Sequence, residues 1–295
     1  MPPRISVIIP TYNGHKYLGA CLDATLTQTL PHDAYEVIVV DDKSSDGTLD
    51  LARAYEREYA PVRVVALPER TPGGPGFGSN MGIKMARGEY VILLDHDDLP
   101  GSEMFATLLA TAEAERADIA FCSFAMLYPD GNRAGPYDTN SWRDLFVPGF
   151  ETLPLTAQKN AYLATCPAPW RKIHRRGYLL ENAVTFPVSE YFFEDIVFHW
   201  RAVLAARKLA RINTRLITYR VGRADQITAK THAKAALDQT VHLWTIKMFL
   251  QQQGIYDEYK QTFLLTVADA LSRVPEDDPA FPTVKAAVVA VCEDT

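Results

Sequence analysis

The sequence predicts an α/β fold: a mostly parallel sheet with helices on both faces, followed by a helical C-terminal extension. Short β-branched runs alternate with helix-patterned segments through the first hundred residues. The runs are continuously apolar, as strands buried on both faces are. Three of them end abruptly in polar sequence, and ligands bind at the carboxyl ends of strands in such sheets.

The elements follow in order. Ile5-Ser-Val-Ile-Ile-Pro10 reads as the first strand, with a helix over about 15–28 after it. Tyr35-Glu-Val-Ile-Val-Val40 is the second strand, followed by a helix over about 48–59 and a third strand over 62–67. A glycine-rich loop, 73–78, leads into a short helix to about Ala86, and Tyr90-Val-Ile-Leu-Leu94 is the next strand. A helix from about Ser102, a strand over 119–128 and a helix over about 196–206 complete the readable core. Residues 129–169 are rich in Pro, Gly and Asn and carry no clear period. The expected division is 1–223 for the core, in two parts of about 1–100 and 101–223. Residues 224–295 form the helical extension.

Composition narrows the class. Of 295 residues, 47% are hydrophobic and 22% charged, which excludes a disordered chain, a coiled coil or a collagen-like fibre. No apolar run approaches the eighteen residues that span a bilayer, and Met-Pro-Pro-Arg leads straight into a strand, so neither a membrane span nor a signal peptide is expected. Cys21, Cys122, Cys166 and Cys292 lie dozens of residues apart, which suits reduced thiols in the cytoplasm. No HExxH or Cys/His cluster points to zinc. Net charge is −6, yet residues 170–223 hold eleven Lys and Arg against four Asp and Glu. Such a stretch either faces an anionic partner or is balanced by acids elsewhere in the fold.

Asp95-His96-Asp97-Asp98 places three carboxylates within four residues at a strand end. Hard oxygen donors in an incomplete set suit Mn²⁺ or Mg²⁺, which would neutralise a diphosphate leaving group. The competing reading is a cap for the following helix. Asp41-Asp42 ends the second strand similarly, as hydrogen-bond acceptors for a base or ribose or as a turn leading to a cap. Gly73-Gly-Pro-Gly-Phe-Gly78 could bring backbone N–H groups to phosphate oxygens, although it is not GxGxxG, because position 81 is Met. Glu194-Asp195 stands among aromatic residues, which raises a carboxyl pKa toward that of a general base; capping a helix is the alternative.

Taken together, Ser6-Val-Ile-Ile-Pro-Thr-Tyr-Asn13, Val39-Val-Asp-Asp-Lys-Ser-Ser-Asp-Gly-Thr48, Asn80-Met-Gly-Ile-Lys-Met-Ala-Arg-Gly-Glu-Tyr90 and Leu93-Leu-Asp-His-Asp-Asp98 resemble glycosyltransferase family 2, of GT-A fold. Ala168-Pro-Trp-Arg-Lys172, Phe193-Glu-Asp-Ile-Val-Phe198 and Tyr219-Arg220 continue the likeness over roughly residues 4–228. The resemblance implies transfer of a sugar from a nucleotide diphosphate donor, with uridine as the expected base, to a saccharide or glycolipid hydroxyl, usually with inversion. Pro10, Thr11 and Tyr12 would line the nucleotide pocket, with Asp41, Asp42 and Asn80 among the donor contacts. Asp95 would lie near the ribose and diphosphate and Asp97 on the metal. Asp195 would be the catalytic base, Trp170 and Glu194 acceptor-side residues and Arg220 a diphosphate contact. Ser79 stands where members carry Arg or Lys, and His96 where a small residue is commoner. Nucleic acid is not an expected partner. Peripheral attachment to the inner face of the membrane and self-association through the C-terminal helices stay open. So do a sugar-1-phosphate nucleotidyltransferase, a retaining mechanism and a non-catalytic sugar-nucleotide-binding scaffold.

Overall fold

A computed structural model describes residues 2–222 and 232–293. The expected boundary at 223/224 and the terminal Thr295 lie outside the described residues. The first half alternates β1 (Ile5–Thr11), α1 (His15–Leu26), β2 (Tyr35–Asp41), α2 (Thr48–Glu58), β3 (Val62–Ala66), α3 (Gly76–Met85) and β4 (Tyr90–Leu93). It continues through β5 (Leu99–Pro100), α4 (Met104–Glu115) and β6 (Ile119–Leu127). The stretch without a clear period contains β7 (Arg133–Ala134), α5 (Thr139–Asp144) and α6 (Leu155–Leu163). Then come β8 (Lys172–Arg175), α7 (Arg176–Glu181), α8 (Glu194–Ala205) and β9 (Leu209–Arg220). The extension is α9 (His232–Gln252), α10 (Tyr256–Ser272) and α11 (Phe281–Cys292).

The strands form one sheet in the order β3-β2-β1-β4-β8-β6-β9-β5, with β7 on β6. The expected parallel pairing holds for β3, β2, β1 and β4. Beyond β4 the sheet is mixed: β8 runs antiparallel to both β4 and β6, while β6 and β9 are parallel. This reversal needs β8 to arrive from the opposite end, which the long 129–169 connection allows.

Alternation along the strands divides the core by face. Ile8, Ile38, Val40, Val91 and Leu93 pack with α3, α8 and the extension. Val7, Ile9, Val37, Val39 and Ile92 pack with α1, α2 and α4. All ten are 2% exposed or less, and burying each contributes roughly 1.5–3 kcal/mol. The extension therefore thickens one helical layer of the core.

Two boundaries shift for local reasons. α1 stops at Leu26, and Gln28 instead links its end to α4, donating to the Gly101 carbonyl (2.8 Å) and accepting from the Phe105 N–H (3.0 Å). α3 starts inside the glycine run, and its Gly82 lies directly on β1. A Cβ there would stand 2.3 Å from Ile8 Cγ2 in a fully packed layer. Gly82→Ala is expected to lower stability by about 1 kcal/mol, the clash outweighing the gain in helix propensity. A urea midpoint equal to or above the parent's, at unchanged m-value, would overturn this account of the α3–β1 contact.

Candidate active site

Because β2, β1 and β4 are parallel neighbours, their carboxyl ends lie side by side. Thr11 and Asp41 are register partners at the tips of β1 and β2. Both are buried, at 3% and 0% exposure, and Thr11 Oγ1 and Asp41 Oδ1 have no hydrogen-bond partner. Leaving such groups unmet costs about 1–3 kcal/mol each, so the pair is prepared for a polar ligand. The other Asp41 oxygen accepts from the Ser44 N–H at 3.1 Å. Pro10, buried, precedes Thr11 on β1, and Tyr12 after it is 42% exposed. The turn-and-cap alternative is met in part as well: the Asp41–Ser44 bond closes the turn, and Asp46 accepts from the Thr48 N–H at 3.1 Å at the start of α2.

Asp42 is committed differently. Its oxygens accept from the Thr71 N–H (2.9 Å), from the Thr71 hydroxyl (2.8 Å) and from Arg70. The Arg70 guanidinium lies 3.9 Å from the Tyr12 ring centre. Arg70 thus covers the exposed tyrosine, a contact that sequence reasoning missed, since nothing in its spacing marks it.

One step beyond β4, carboxylate oxygens of Asp95, Asp97 and Asp98 lie within 4.8 Å of one another. Asp97 and Asp98 are buried and Asp95 half-buried. Carboxylates this close repel by about 3–4 kcal/mol per pair at an effective dielectric near 20, so the set suits a divalent cation. The capping alternative fails, because Glu103 stands at the N-cap of α4 and makes no side-chain cap bond. Asp98 joins the set, as the run of three carboxylates suggests, whereas the family resemblance implied roles for Asp95 and Asp97 alone. Asp98 Oδ1 also accepts from the Arg220 N–H at 3.0 Å, tying the cluster to β9. The Arg220 side chain lies over Tyr17, 5.6 Å from its ring centre. Burial and the three aspartates push the neighbouring Tyr219 hydroxyl well above its usual range. The His96 ring lies against Gly14.

The glycine loop is filled from within the protein rather than left as a cradle for phosphate. Glu194 opens α8, is 6% exposed, and its carboxylate accepts from the Gly76 N–H. A Cβ on Gly74 would come within 2.5 Å of Glu194 Oε1, so a side chain there would displace this carboxyl. Burial, with Asp195 beside it, pushes the Glu194 carboxyl up to about 8. Burial also raises the Asp195 carboxyl, opposed by the cations Lys172 and Arg273. Neither acid caps the helix: Phe193 holds the N-cap position in a left-handed conformation (φ 72°), and both acids lie in the first turn.

Two further expected residues have structural partners. The Asn80 amide accepts from the Phe186 N–H and donates to its carbonyl, both at 2.9 Å. Trp170 is 3% exposed, stacked on Tyr219 at 5.1 Å and edge-on to Phe124 at 5.0 Å. Trp170 therefore reaches the acidic cluster through Tyr219. Much of the basic stretch is balanced within the fold: Arg171 pairs with Asp138, Arg175 with Asp118, Lys208 with Glu115 and Arg211 with Glu151. Lys172 is buried, donating to the Pro167 carbonyl (2.7 Å) and facing His199 Nδ1 at 3.0 Å; burial brings it down to about 7. The thiols are free, as expected. Among the described residues no helix is long and apolar enough to cross a membrane.

Comparison with known proteins accords with this geometry. A family model, glycosyl transferase family 2, matches residues 6–175. A poly(ribitol-phosphate) beta-glucosyltransferase of Bacillus spizizenii is 34% identical over 70% of this chain and 30% of its own length. The poly(ribitol-phosphate) beta-N-acetylglucosaminyltransferase TarS of Staphylococcus aureus is 30% identical over 73% of this chain and 35% of its own. The chain thus spans about a third of these two relatives. In shape, S. aureus TarS 1–349 in complex with UDP-GlcNAc superposes with a TM-score of 0.65, at 21% identity, over 98% of this chain and 89% of that one. The mannosyltransferase PcManGT of Pyrobaculum calidifontis, in complex with GDP-Man and Mn²⁺, gives 0.60 at 17% identity, over 99% and 86%. These likenesses establish the GT-A fold, and the three C-terminal helices lie within the superposed span.

The raised Glu194 carboxyl has a consequence for stability. The folded protein keeps this proton up to about pH 8, whereas the unfolded chain releases it near its ordinary 4.5. Between these values the unfolded state binds fewer protons, so stability falls as pH rises, by at most about 1.4 kcal/mol per unit. Glu194→Gln keeps the neutral form at every pH. The melting-temperature difference, variant minus parent, is expected to grow from pH 5 to pH 8; a constant difference would show that Glu194 ionises normally.

Proposed function

The chain belongs to glycosyl transferase family 2, and from that membership we propose that it transfers a sugar from a UDP-sugar to an acceptor hydroxyl, with inversion at the anomeric carbon. The observation that carries this reading is the pair of unmet buried groups, Thr11 Oγ1 and Asp41 Oδ1, one strand from the Asp95–Asp97–Asp98 cluster. A nucleoside offers donors to the first, and the diphosphate with its cation meets the second. Residues 1–100 then form the donor half, 101–223 the acceptor half and 224–295 a helical extension packed against the core. The activities of the two relatives support a hydroxyl on a polyol-phosphate or saccharide chain as acceptor, with a glucosyl or N-acetylglucosaminyl group transferred.

In this mechanism Tyr12 and Asp41 hold the base and Thr11 the nucleoside, while Asp95, Asp97 and Asp98 would hold Mn²⁺ or Mg²⁺. The cation would supply charge neutralisation for the diphosphate. Asp195 removes the acceptor hydroxyl proton as that oxygen attacks the anomeric carbon. The bond from the anomeric carbon to the β-phosphate oxygen breaks, and its electron pair leaves with UDP. Burial favours Asp195 as proton acceptor because it raises the carboxyl toward working pH, while Lys172 and Arg273 keep it ionised. Arg220 and Tyr219 border the diphosphate side, and Trp170 braces Tyr219. The nucleotidyltransferase alternative loses its main feature, since Glu194 fills the glycine loop.

Thermal shift with UDP, UDP-glucose and UDP-N-acetylglucosamine, each with and without Mn²⁺, tests this reading. One UDP-sugar with Mn²⁺ is expected to raise the melting temperature, since ligand binding stabilises by mass action. Asp97→Ala should abolish the Mn²⁺-dependent part and leave the unliganded melt within a few degrees. Asp195→Asn should keep the shift and lower sugar transfer by about a hundredfold or more, the scale of a lost general base. Transfer near the parent rate in Asp195→Asn would sink the assignment of the base.

A further inference from the structure

We propose that the helical extension clamps the loop carrying Asp195, with Arg273 as a positioning residue that acts through Phe193. This rests on the reading of Asp195 as the base. The loop enters α8 through Phe193, whose φ of 72° is unusual for a bulky side chain. A residue so placed costs on the order of 1–3 kcal/mol and persists only where its surroundings over-determine it.

Those surroundings come largely from the extension. Lys234, Asp238 and His242 stand at successive helical turns on one stripe of α9, and all three address residues 191–192. Asp238, 4% exposed, accepts from the Phe192 N–H at 3.4 Å and is fixed by the Lys234 ammonium at 2.6 Å. Lys234 lies 5.4 Å from the Phe192 ring centre, and His242 meets the Tyr191 ring edge-on at 6.5 Å. At the end of α10, Arg273 lies 5.7 Å from the Phe193 ring centre and is held by Asp269 at 2.7 Å. Three consecutive aromatic residues before the acidic pair thus each have their own contact in the extension. On the opposite side, the Ser189 carbonyl rests on Gly73 of the glycine loop.

Arg273 adds charge to position. The groups acting on Asp195 are Glu194 beside it, Lys172 from β8 and Arg273 from the end of α10. His199, one turn along α8, is held neutral by burial, and Tyr137, from the loop after β7, faces Arg273. Lys172 divides its hydrogen bonds between Pro167 and His199. Arg273 is thus the cation that the extension supplies to this carboxylate.

The test uses the full chain, with UDP formation from UDP-N-acetylglucosamine or UDP-glucose in Mn²⁺ followed against pH. Arg273→Gln removes a cation that favours the carboxylate, so the acid limb of the profile should move to higher pH while KM for the donor stays put. Arg273→Lys should return the limb toward its original place. Asp238→Ala should speed amide hydrogen exchange across 190–196 by about tenfold, by opening the loop locally, without changing exchange in β1 or β2. An unmoved limb in Arg273→Gln with unchanged exchange in Asp238→Ala would overturn the clamp. Asp195→Asn separates the two readings: if it keeps turnover, the base assignment fails, and the exchange measurement still judges the clamp.

Discussion

Parallel pairing of β1 with β2 and β4 is the constraint on which the site depends. Parallel neighbours bring their carboxyl ends to one edge, so Thr11, Asp41 and the Asp95–Asp98 run become adjacent without contact in sequence. The same edge receives β9, whose Arg220 N–H binds Asp98. Polar groups at these tips have no strand left to pair with, and the apolar strands beneath them, nearly all inaccessible to solvent, hold them in place. The sheet accordingly concentrates negative charge and unmet hydrogen-bonding capacity where a nucleotide diphosphate and its cation can relieve both.

Glu194 joins the two halves of the site. Its carboxyl fills space left by Gly74 and Gly76, so the loop after β3 and the start of α8 cannot move independently. A neutral carboxyl there is a hydrogen-bonding plug, and its neutrality spares Asp195 a second negative charge next door. Glu194, which the family resemblance placed on the acceptor side, thus bridges the glycine loop and the start of α8.

The extension packs into the core layer that holds α8. Its apolar side chains are continuous with those behind α3 and β1, and its polar stripe meets residues 191–193. The physical consequence is that a strained entry to α8 can be afforded close to the chemistry, because two helices restrain it from outside the sheet.

The linear sequence determined the alternation of strands and helices, the polar strand ends and the family, because each is written in local period and ordered motif. Val-Ile-Leu-Leu followed by Asp-His-Asp-Asp is legible without a fold, and so are Thr11, Asp41, Asp95, Asp97 and Asp195 as candidates. Tertiary structure alone decided which oxygens are spent and which are open. Asp42 is consumed by Arg70 and Thr71, Asn80 by Phe186, and Trp170 by Tyr219. Asp98 gains its bond from Arg220 of β9, and Arg273 reaches the Phe193 ring from eighty residues away. Local pattern reports periodicity and residue type, whereas the partner of a polar atom is set by contacts between distant segments, which only packing brings together.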